Sequence, residues 1–133
     1  MEVRDAVERD AAAMAALTDA PEPVLRNTVH ERSVRVLTEA PETDEDDDVV
    51  GFVSFDARED AVFVTQFGGD RAACERLLAE PLRFARAEGL PVEVVLREDD
   101  DEMRAAAEAV GFEPVGAGPR FRGEPTRKYR HEP

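Results

Sequence analysis

The stretch that decides the fold is Ala61–Gly89, AVFVTQFGGDRAACERLLAEPLRFARAEG. It predicts an apolar strand, a Gly-Gly-Asp turn and an amphipathic helix that ends at a glycine. Because the first N–H groups of a helix lack partners and carry the positive end of its dipole, the turn is a candidate phosphate site. Pro81 is expected to kink the helix or to divide it in two. The core-facing stripe of the helix comprises Cys74, Leu77, Leu78, Leu82 and Ala85.

The flanking sequence predicts more strands and helices on both sides of this stretch. Before it we expect a strand at Glu2–Ala6, a helix capped by Asp10, a helix at Val24–Glu31, a strand at Ser33–Thr38, and a hairpin of Val49–Asp56 with Ala61–Thr65. After it we expect a strand at Pro91–Leu96, a helix opened by Glu98–Glu102 and ending at Gly111, and strands at Phe112–Gly116 and Thr126–Arg130.

The charge of the chain is strongly acidic. In 133 residues there are 31 acidic and 17 basic side chains, a net charge of −14, and every basic side chain except Lys128 is an arginine. This haloarchaeal-type composition resembles that of intracellular proteins from salt-accumulating archaea. Molar salt shortens the Debye length to roughly 3 Å and so screens the repulsion between carboxylates. We therefore expect a halophilic, acidic protein of one domain that is marginally stable in low salt.

Composition also excludes several classes of function. An acidic surface argues against nucleic-acid binding, which needs basic patches to displace counterions. The first ten residues lack the blocks of a signal peptide, and no apolar run approaches the roughly 20 residues that span a bilayer. The single cysteine, Cys74, forms no internal disulfide and no all-cysteine metal site. We expect no membrane partner, no metal and a cytoplasmic location.

The order of these elements, together with EMRAAAEAVGFEPVG at 102–116, resembles the GNAT superfamily of acyl-CoA-dependent N-acetyltransferases over nearly the whole chain. The resemblance implies a single α/β domain over residues 1–133, with a mixed, mostly antiparallel sheet of six to seven strands and about four helices. It implies a V-shaped gap between Ala61–Thr65 and Pro91–Leu96 that takes the pantetheine arm. Acetyl-CoA is the implied co-substrate and an amine the implied acceptor, and a homodimer is left open.

The resemblance also locates a phosphate loop within Gln66–Cys74, but the loop is degenerate. One register, Gln66–Arg71, keeps the initial glutamine and puts arginine where a small residue belongs. The other, Gly69–Cys74, suits the helix better and puts alanine and cysteine at the glycine positions. As an N-cap, Asp70 would occupy the amides that a phosphate needs. The cofactor-binding residues implied are Val62, Phe63, Val64, Gly68, Gly69, Asp70, Arg71 and Ala72.

The catalytic positions depart from the family as well. Ala107 stands where many members carry a tyrosine that protonates the leaving thiolate, and Asp100 stands where an asparagine is common. The only tyrosine, Tyr129, is not at that position. The catalytic residues are therefore unknown, and among many carboxylates Glu31 and Asp56 are the first candidates for a general base.

The remaining candidates have ordinary structural interpretations. Cys74 is expected in the core and His30 on the surface at a helix end, and Glu42–Asp48 as a solvated loop. The C-terminal cluster of basic residues is interpreted either as an anion site or as an edge strand whose arginines pair with the chain's own carboxylates. That cluster comprises Arg120, Arg122, Arg127, Lys128 and Arg130.

Three hypotheses on function follow. The first is transfer of an acetyl group from acetyl-CoA to an amine of an unidentified acceptor. The alternative is a non-catalytic binding or regulatory module that kept the GNAT fold and lost the cofactor loop. A third is an unrelated small α/β domain that acts through oligomerisation.

Overall fold

The computed structural model of the protein describes residues 1–39 and 48–133. A short 3₁₀ helix, Glu8–Asp10, precedes α1. The strands are β1 (Glu2–Asp5), β2 (Ser33–Glu39), β3 (Asp48–Ala57), β4 (Val62–Gly69), β5 (Val92–Arg97), β6 (Glu113–Ala117) and β7 (Thr126–His131). The helices are α1 (Ala11–Ala15), α2 (Glu22–Glu31), α3 (Arg71–Glu88) and α4 (Asp101–Ala109).

These strands form one seven-stranded sheet in the order β1-β2-β3-β4-β5-β7-β6. All neighbouring pairs are antiparallel except β4 and β5, which are parallel because α3 carries the chain back across the sheet. The predicted class, a single α/β domain with a mostly antiparallel sheet and four helices, is confirmed. The predicted hairpin is the β3–β4 pair.

Each face of the sheet is covered by its own layer of helices. On one face, α3 and α4 pack on a core that includes Val53, Leu77 and Tyr129. On the other face, Met14 of α1 and Leu25 of α2 belong to one core cluster with Phe52 of β3. Because side chains alternate along a strand, the buried residues of β3 divide between the two layers. Both layers cover the centre of the sheet, and this is why its strands are apolar on both sides.

Strands β4 and β5 pair over only three rows, the last of which joins Val64 to Val94. At that level Thr65 is an extra residue in β4, since the β3 partner of Val64 is Phe55 and that of Gln66 is the preceding Ser54. Such a bulge bends its strand and increases the local twist. Beyond it, β4 continues along β3 while β5 continues along β7, and the two strands separate. The predicted V-shaped gap is present.

The predicted Gly-Gly-Asp turn is wrong. Gly68 and Gly69 belong to β4 and pair with Phe52 and Gly51 of β3, so that Asp70 alone connects β4 to α3. The degenerate loop expected within Gln66–Cys74 is replaced by strand, one residue and helix.

Other local expectations are corrected too. Helix α3 is continuous through Pro81, so of the two predicted outcomes, a kink or a division, the division is wrong. Asp10 makes no side-chain cap on α1; instead its buried carboxylate accepts two hydrogen bonds from Arg4, at 2.8 and 2.9 Å, and one from the Val7 N–H. Burial raises the pKa of Asp10, but these bonds and the positive charges of Arg4 and Arg9 outweigh it and leave the pKa lowered.

The ends of the sheet are β1 and β6. Strand β7, interpreted from sequence as an edge strand, lies between β5 and β6, so that interpretation is wrong in position. Most of the acidic segment Glu42–Asp48 lies outside the described residues. Among the helices in the described ranges, none is both long and apolar enough to cross a bilayer.

Candidate functional site: the cleft between β4 and β5

A cleft of about 590 Å³ opens where β4 and β5 separate. Its floor is Val64–Phe67 of β4 and Val94–Arg97 of β5. One side is residues 18–21, between α1 and α2, and the other side is residues 119–122, between β6 and β7. The start of α4, at Asp100 and Met103, lines one end. The split of the sheet therefore creates an open space bordered by five segments of the chain.

The floor holds a polar atom without a partner. The Oε1 atom of Gln66 is buried and has no hydrogen-bond partner in the described part of the protein. Gln66 pairs with Ser54 and alternates with Phe67, which packs against the core of the α3 side. Its side chain therefore faces the α1–α2 side of the sheet. Because an unpaired buried acceptor costs about 1–3 kcal/mol, this oxygen is a site for a donor from a ligand.

The loop between β6 and β7 brings two arginines to the cleft. Phe121 and Glu124 exchange two backbone hydrogen bonds of 2.9 Å, which close a tight turn with Arg122 at φ 51° and Gly123 at φ 80°. A non-glycine residue in this region costs about 1 kcal/mol. Glycine or asparagine would avoid that cost, so the arginine here is held at the expense of stability.

These arginines form no ion pair in the described residues. Arg120 donates to the Gly123 carbonyl at 2.9 Å, and the Arg122 guanidinium lies 5.3 Å from the centre of the Phe121 ring. The other basic residues of the C-terminal cluster are paired: Arg127 with Glu98 at 3.3 Å, and both Lys128 and Arg130 with Glu93. The cluster thus divides into paired residues on β7 and unpaired residues at the cleft.

The charge lining the cleft opposes that of the chain. Its lining has three arginines, Arg97, Arg120 and Arg122, against two aspartates, Asp19 and Asp100. That balance is +1, whereas the whole chain carries −14. Arg97 pairs with Asp99 at 3.0 Å, and Asp100 caps α4 by accepting from the Met103 N–H at 3.2 Å. The described lining of the cleft therefore repels an anion less than the net charge of the chain would suggest.

The junction of β4 and α3, where the phosphate loop was expected, is closed. Asp70 accepts a 2.8 Å hydrogen bond from the Ala73 N–H, as its predicted role of N-cap requires. A Cβ on Gly68 would lie 2.7 Å from the Leu17 carbonyl oxygen, and one on Gly69 would lie 2.9 Å from that of Val50. These glycines serve close packing of the backbone against neighbouring segments.

Of the eight residues predicted to bind the cofactor, Val64 lines the cleft. Val62 is buried in the core, and Phe63 is half-buried with the Arg58 guanidinium 5.7 Å from its ring centre. Arg71 pairs with Glu75 at 3.1 Å. Those at the junction, Gly68 to Ala72, lie outside the cleft lining. Cofactor contact by these eight residues remains a prediction.

The α4 side of the cleft contains no replacement for the missing tyrosine at Ala107, which is buried. Tyr129 is buried in the core, where its hydroxyl accepts a 2.9 Å hydrogen bond from Arg104 Nε. The Arg104 guanidinium also donates to the Glu98 carbonyl at 2.9 Å. Tyr129 therefore anchors α4 to β7 and is not among the residues that line the cleft.

The other sequence candidates lie away from the cleft. Asp56 pairs with Arg32 at 3.1 Å, and Glu31 is exposed at the end of α2. His30 is a surface residue 3.2 Å from Glu8, and Cys74 is fully buried, as predicted. Burial, followed by the charges of Asp70 and Asp100, raises the pKa of the Cys74 thiol to about 12, which makes it a poor nucleophile.

Sequence reasoning missed Asp19 and did not single out the Gln66 side chain as unpaired. Asp19 is an exposed carboxylate of the loop between α1 and α2, on the side of the cleft opposite Arg120. Its neighbours Thr18 and Pro21 suggest only a turn. A signal for Gln66 existed in its place two residues before the glycines, but the sequence does not show that its side-chain oxygen lacks a partner.

Solved structures with the same fold include acetyltransferases of the GNAT family. The chain superimposes on the NAA60 protein of Arabidopsis thaliana in complex with acetyl-CoA with a TM-score of 0.80, at 10% identity, covering 98% of this chain and 97% of the other. An acetyltransferase of the GNAT family from Bacillus cereus superimposes with a TM-score of 0.75 at 16% identity, covering 98% of this chain and 96% of the other. A ribosomal-protein-alanine N-acetyltransferase from Brucella melitensis superimposes with a TM-score of 0.70 at 18% identity, covering 99% of each chain. No protein-family model and no curated protein matches the sequence. The protein thus has the GNAT fold.

Proposed function

We propose that the protein transfers an acetyl group from acetyl-CoA to an amine. The observation that carries the proposal is the split between β4 and β5, where pairing stops at Val64 and Val94. Beyond that row, the side of β4 that faces β5 has peptide groups free of strand pairing. An extended amide-containing chain such as pantetheine can hydrogen-bond to such an edge.

The reaction needs little from side chains beyond positioning. The amine nitrogen forms a bond to the thioester carbonyl carbon, the carbon–sulfur bond breaks, and the thiolate leaves with the electron pair. The amine loses one proton and the thiolate gains one, so that the products are an amide and free CoA. A thiolate is a tolerable leaving group near neutral pH, and the reaction can proceed with alanine at Ala107. Of the two carboxylates that line the cleft, Asp19 accepts no hydrogen bond from a described residue. We therefore assign Asp19 as the general base that takes the proton from the amine.

The phosphate end of acetyl-CoA fits less well than the pantetheine arm. At the start of α3 the carboxylate of Asp70 already accepts from the Ala73 N–H, and it brings negative charge to a position where a diphosphate would sit. Binding there requires the Asp70 side chain to rotate away. We therefore expect weaker binding than an open glycine loop would give.

The test is calorimetric titration of acetyl-CoA into the folded protein in molar KCl. We expect one site of micromolar affinity, followed by thiol release when amines are added. Thr65→Trp, which fills the cleft at an exposed position of β4, should abolish binding. Ser33→Trp adds the same ring at an exposed position of β2 away from the cleft and should leave binding unchanged. Circular dichroism checks that each variant is folded.

The alternative is a module that kept the fold and binds no CoA. The closed junction at Asp70 favours it, because the phosphate site is filled by the protein's own side chain. Absence of heat at millimolar acetyl-CoA, with the wild-type fold intact, would establish this alternative and overturn the acetyltransferase proposal.

A further inference from the structure

We infer that the acceptor is an amine that also carries a side-chain carboxylate, in an acidic amino acid or in a peptide with acidic residues near its N-terminus, and that Arg120 and Arg122 bind this carboxylate. The inference rests on the proposed acetyl transfer and names the substrate class of the same cleft. The first support is charge: both arginines line the cleft, and neither forms an ion pair with a described carboxylate, although the chain has almost twice as many acidic as basic side chains.

The second support is the backbone of the turn. Arg122 has φ 51°, a conformation that glycine or asparagine adopts with less strain. The turn itself would form more easily without an arginine at this position. The strain is explained if the guanidinium at the tip of the loop is needed for a ligand.

The third support is the position of the two arginines relative to the helices. The loop begins at Gly118, where a Cβ would lie 3.1 Å from Val95 Cγ1. Val95 is exposed and alternates with Val94 and Leu96, which pack under α3 and α4. The loop therefore lies over the face of the sheet opposite α3. A diphosphate at the start of α3 would lie on the other face, so an acceptor is the better ligand for these arginines.

The opposite side of the cleft suits the amine. Asp19 lies there with a carboxylate that no described residue pairs with, and in the floor the buried Oε1 atom of Gln66 lacks a donor among the described residues. An ammonium or amine group supplies N–H donors to both atoms. The cleft thus has the Asp19 carboxylate on the side of residues 18–21, the Gln66 oxygen in its floor, and guanidinium groups on the side of residues 119–122. An amino acid with an acidic side chain and a peptide with acidic residues after its N-terminus both have this polarity.

The experiment compares acceptors that differ only in charge. Thiol release from acetyl-CoA is measured with glutamate against glutamine, and with the amidated peptide Ala-Glu-Asp-Gly against Ala-Gln-Asn-Gly. The salt concentration is the lowest that keeps the fold, because salt screens the contact. We expect kcat/KM at least tenfold higher for the acidic member of one pair, and the pair that responds distinguishes a small amino acid from a peptide. Equal rates within both pairs would overturn the inference.

Variants locate the effect. Arg120→Gln with Arg122→Gln should remove the preference for the acidic acceptor and leave the Kd of acetyl-CoA unchanged. Arg86→Gln is the control for loss of an exposed arginine, since Arg86 is exposed near the end of α3 and lies outside the cleft lining. Weaker acetyl-CoA binding in the double variant, with the acceptor preference kept, would assign the arginines to the CoA phosphates and contradict the inference.

Direct titration of the acidic peptide into the wild-type protein separates this inference from the proposed function. If acetyl-CoA does not bind, the acetyltransferase proposal fails, but tighter binding of the acidic peptide than of its amide would still support recognition by the arginines. Equal binding of the two peptides would overturn it. Asp19→Asn should weaken binding of the acidic peptide without changing the preference for acid over amide.

Discussion

The β4–α3 junction and the β6–β7 loop are both reached from the split sheet, yet they are built in opposite ways. At the junction, Asp70 caps α3 and two glycines let backbone pack closely against its neighbours. In the loop, Arg122 has strained backbone and two guanidinium groups lack ionic partners in the described chain. The junction satisfies its polar groups internally, whereas the loop leaves charge for a ligand. In the proposed reaction, recognition would therefore depend more on the acceptor side of the cleft than on the phosphate side.

Salt should raise the stability of the fold and weaken the binding of an acidic ligand, and this is the largest expected effect. Raising KCl from 0.2 to 2 M screens repulsion among the carboxylates and should stabilise the fold by about 5 kcal/mol, the order of a small domain's whole stability. The same screening should weaken binding of an acidic ligand at Arg120 and Arg122. Urea unfolding and peptide titration over the same salt series measure both trends. If stability and peptide affinity both rose with salt, the cleft would not differ in charge from the rest of the molecule.

Gly68→Val tests whether the glycines at the junction serve packing. Its Cβ would lie 2.7 Å from the Leu17 carbonyl oxygen and 2.8 Å from Phe52, so we expect a loss of about 3 kcal/mol of unfolding free energy. Chemical unfolding in high salt gives the value. Gly123→Ala, in the open loop at φ 80° with no neighbour near its Cβ, should cost only about 1 kcal/mol. Equal costs would mean that the junction is no more tightly packed than the loop.

Asp70→Ala and Asp70→Ser separate the hydrogen bond of the helix cap from its negative charge. Alanine removes the hydrogen bond to the Ala73 N–H and should cost about 1 kcal/mol, whereas serine keeps a cap without the charge and should cost little. Both should tighten acetyl-CoA binding, because the negative charge at the start of α3 is gone. Thermal unfolding and calorimetry report the two effects. Unchanged affinity in both variants would show that no phosphate binds at the junction.

The Cys74 thiol reports opening of the junction, because its sulfur lies under it, 3.6 Å from the Gly69 carbonyl oxygen. Burial raises its pKa from 9.0 to about 12 in the folded protein. The stability that this thiol contributes is therefore complete below about pH 9 and is lost as the pH rises toward 12. The wild type should lose more stability over that range than Cys74→Ala. Iodoacetamide at pH 8 should label only unfolded protein, and rapid labelling of the native protein would show that the junction opens.

The strand and the helix within Ala61–Gly89 could be predicted from sequence, because their periodicity and the glycine at the helix end are local features. The missing parts depend on register between distant strands. The bulge at Thr65 is defined by its partners on β3, and the pairing of Gly68 and Gly69 with the same strand makes two more residues of strand where a turn was expected. The pairing of Lys128 with Glu93 depends on β5 and β7 being neighbours. The same neighbours decide which arginines remain free, so composition identified the basic cluster but not its division.

The two edges of the sheet bear on assembly. Strand β1 is only four residues long, and β6 contains Pro114, which has no N–H, beside an irregular register at Val115. Short or proline-containing edges with bulges are poor templates for pairing with another strand. A second copy of the chain would thus gain little by extending the sheet. A homodimer would therefore have to use a face of the molecule, and both edges disfavour edge-to-edge aggregation during folding.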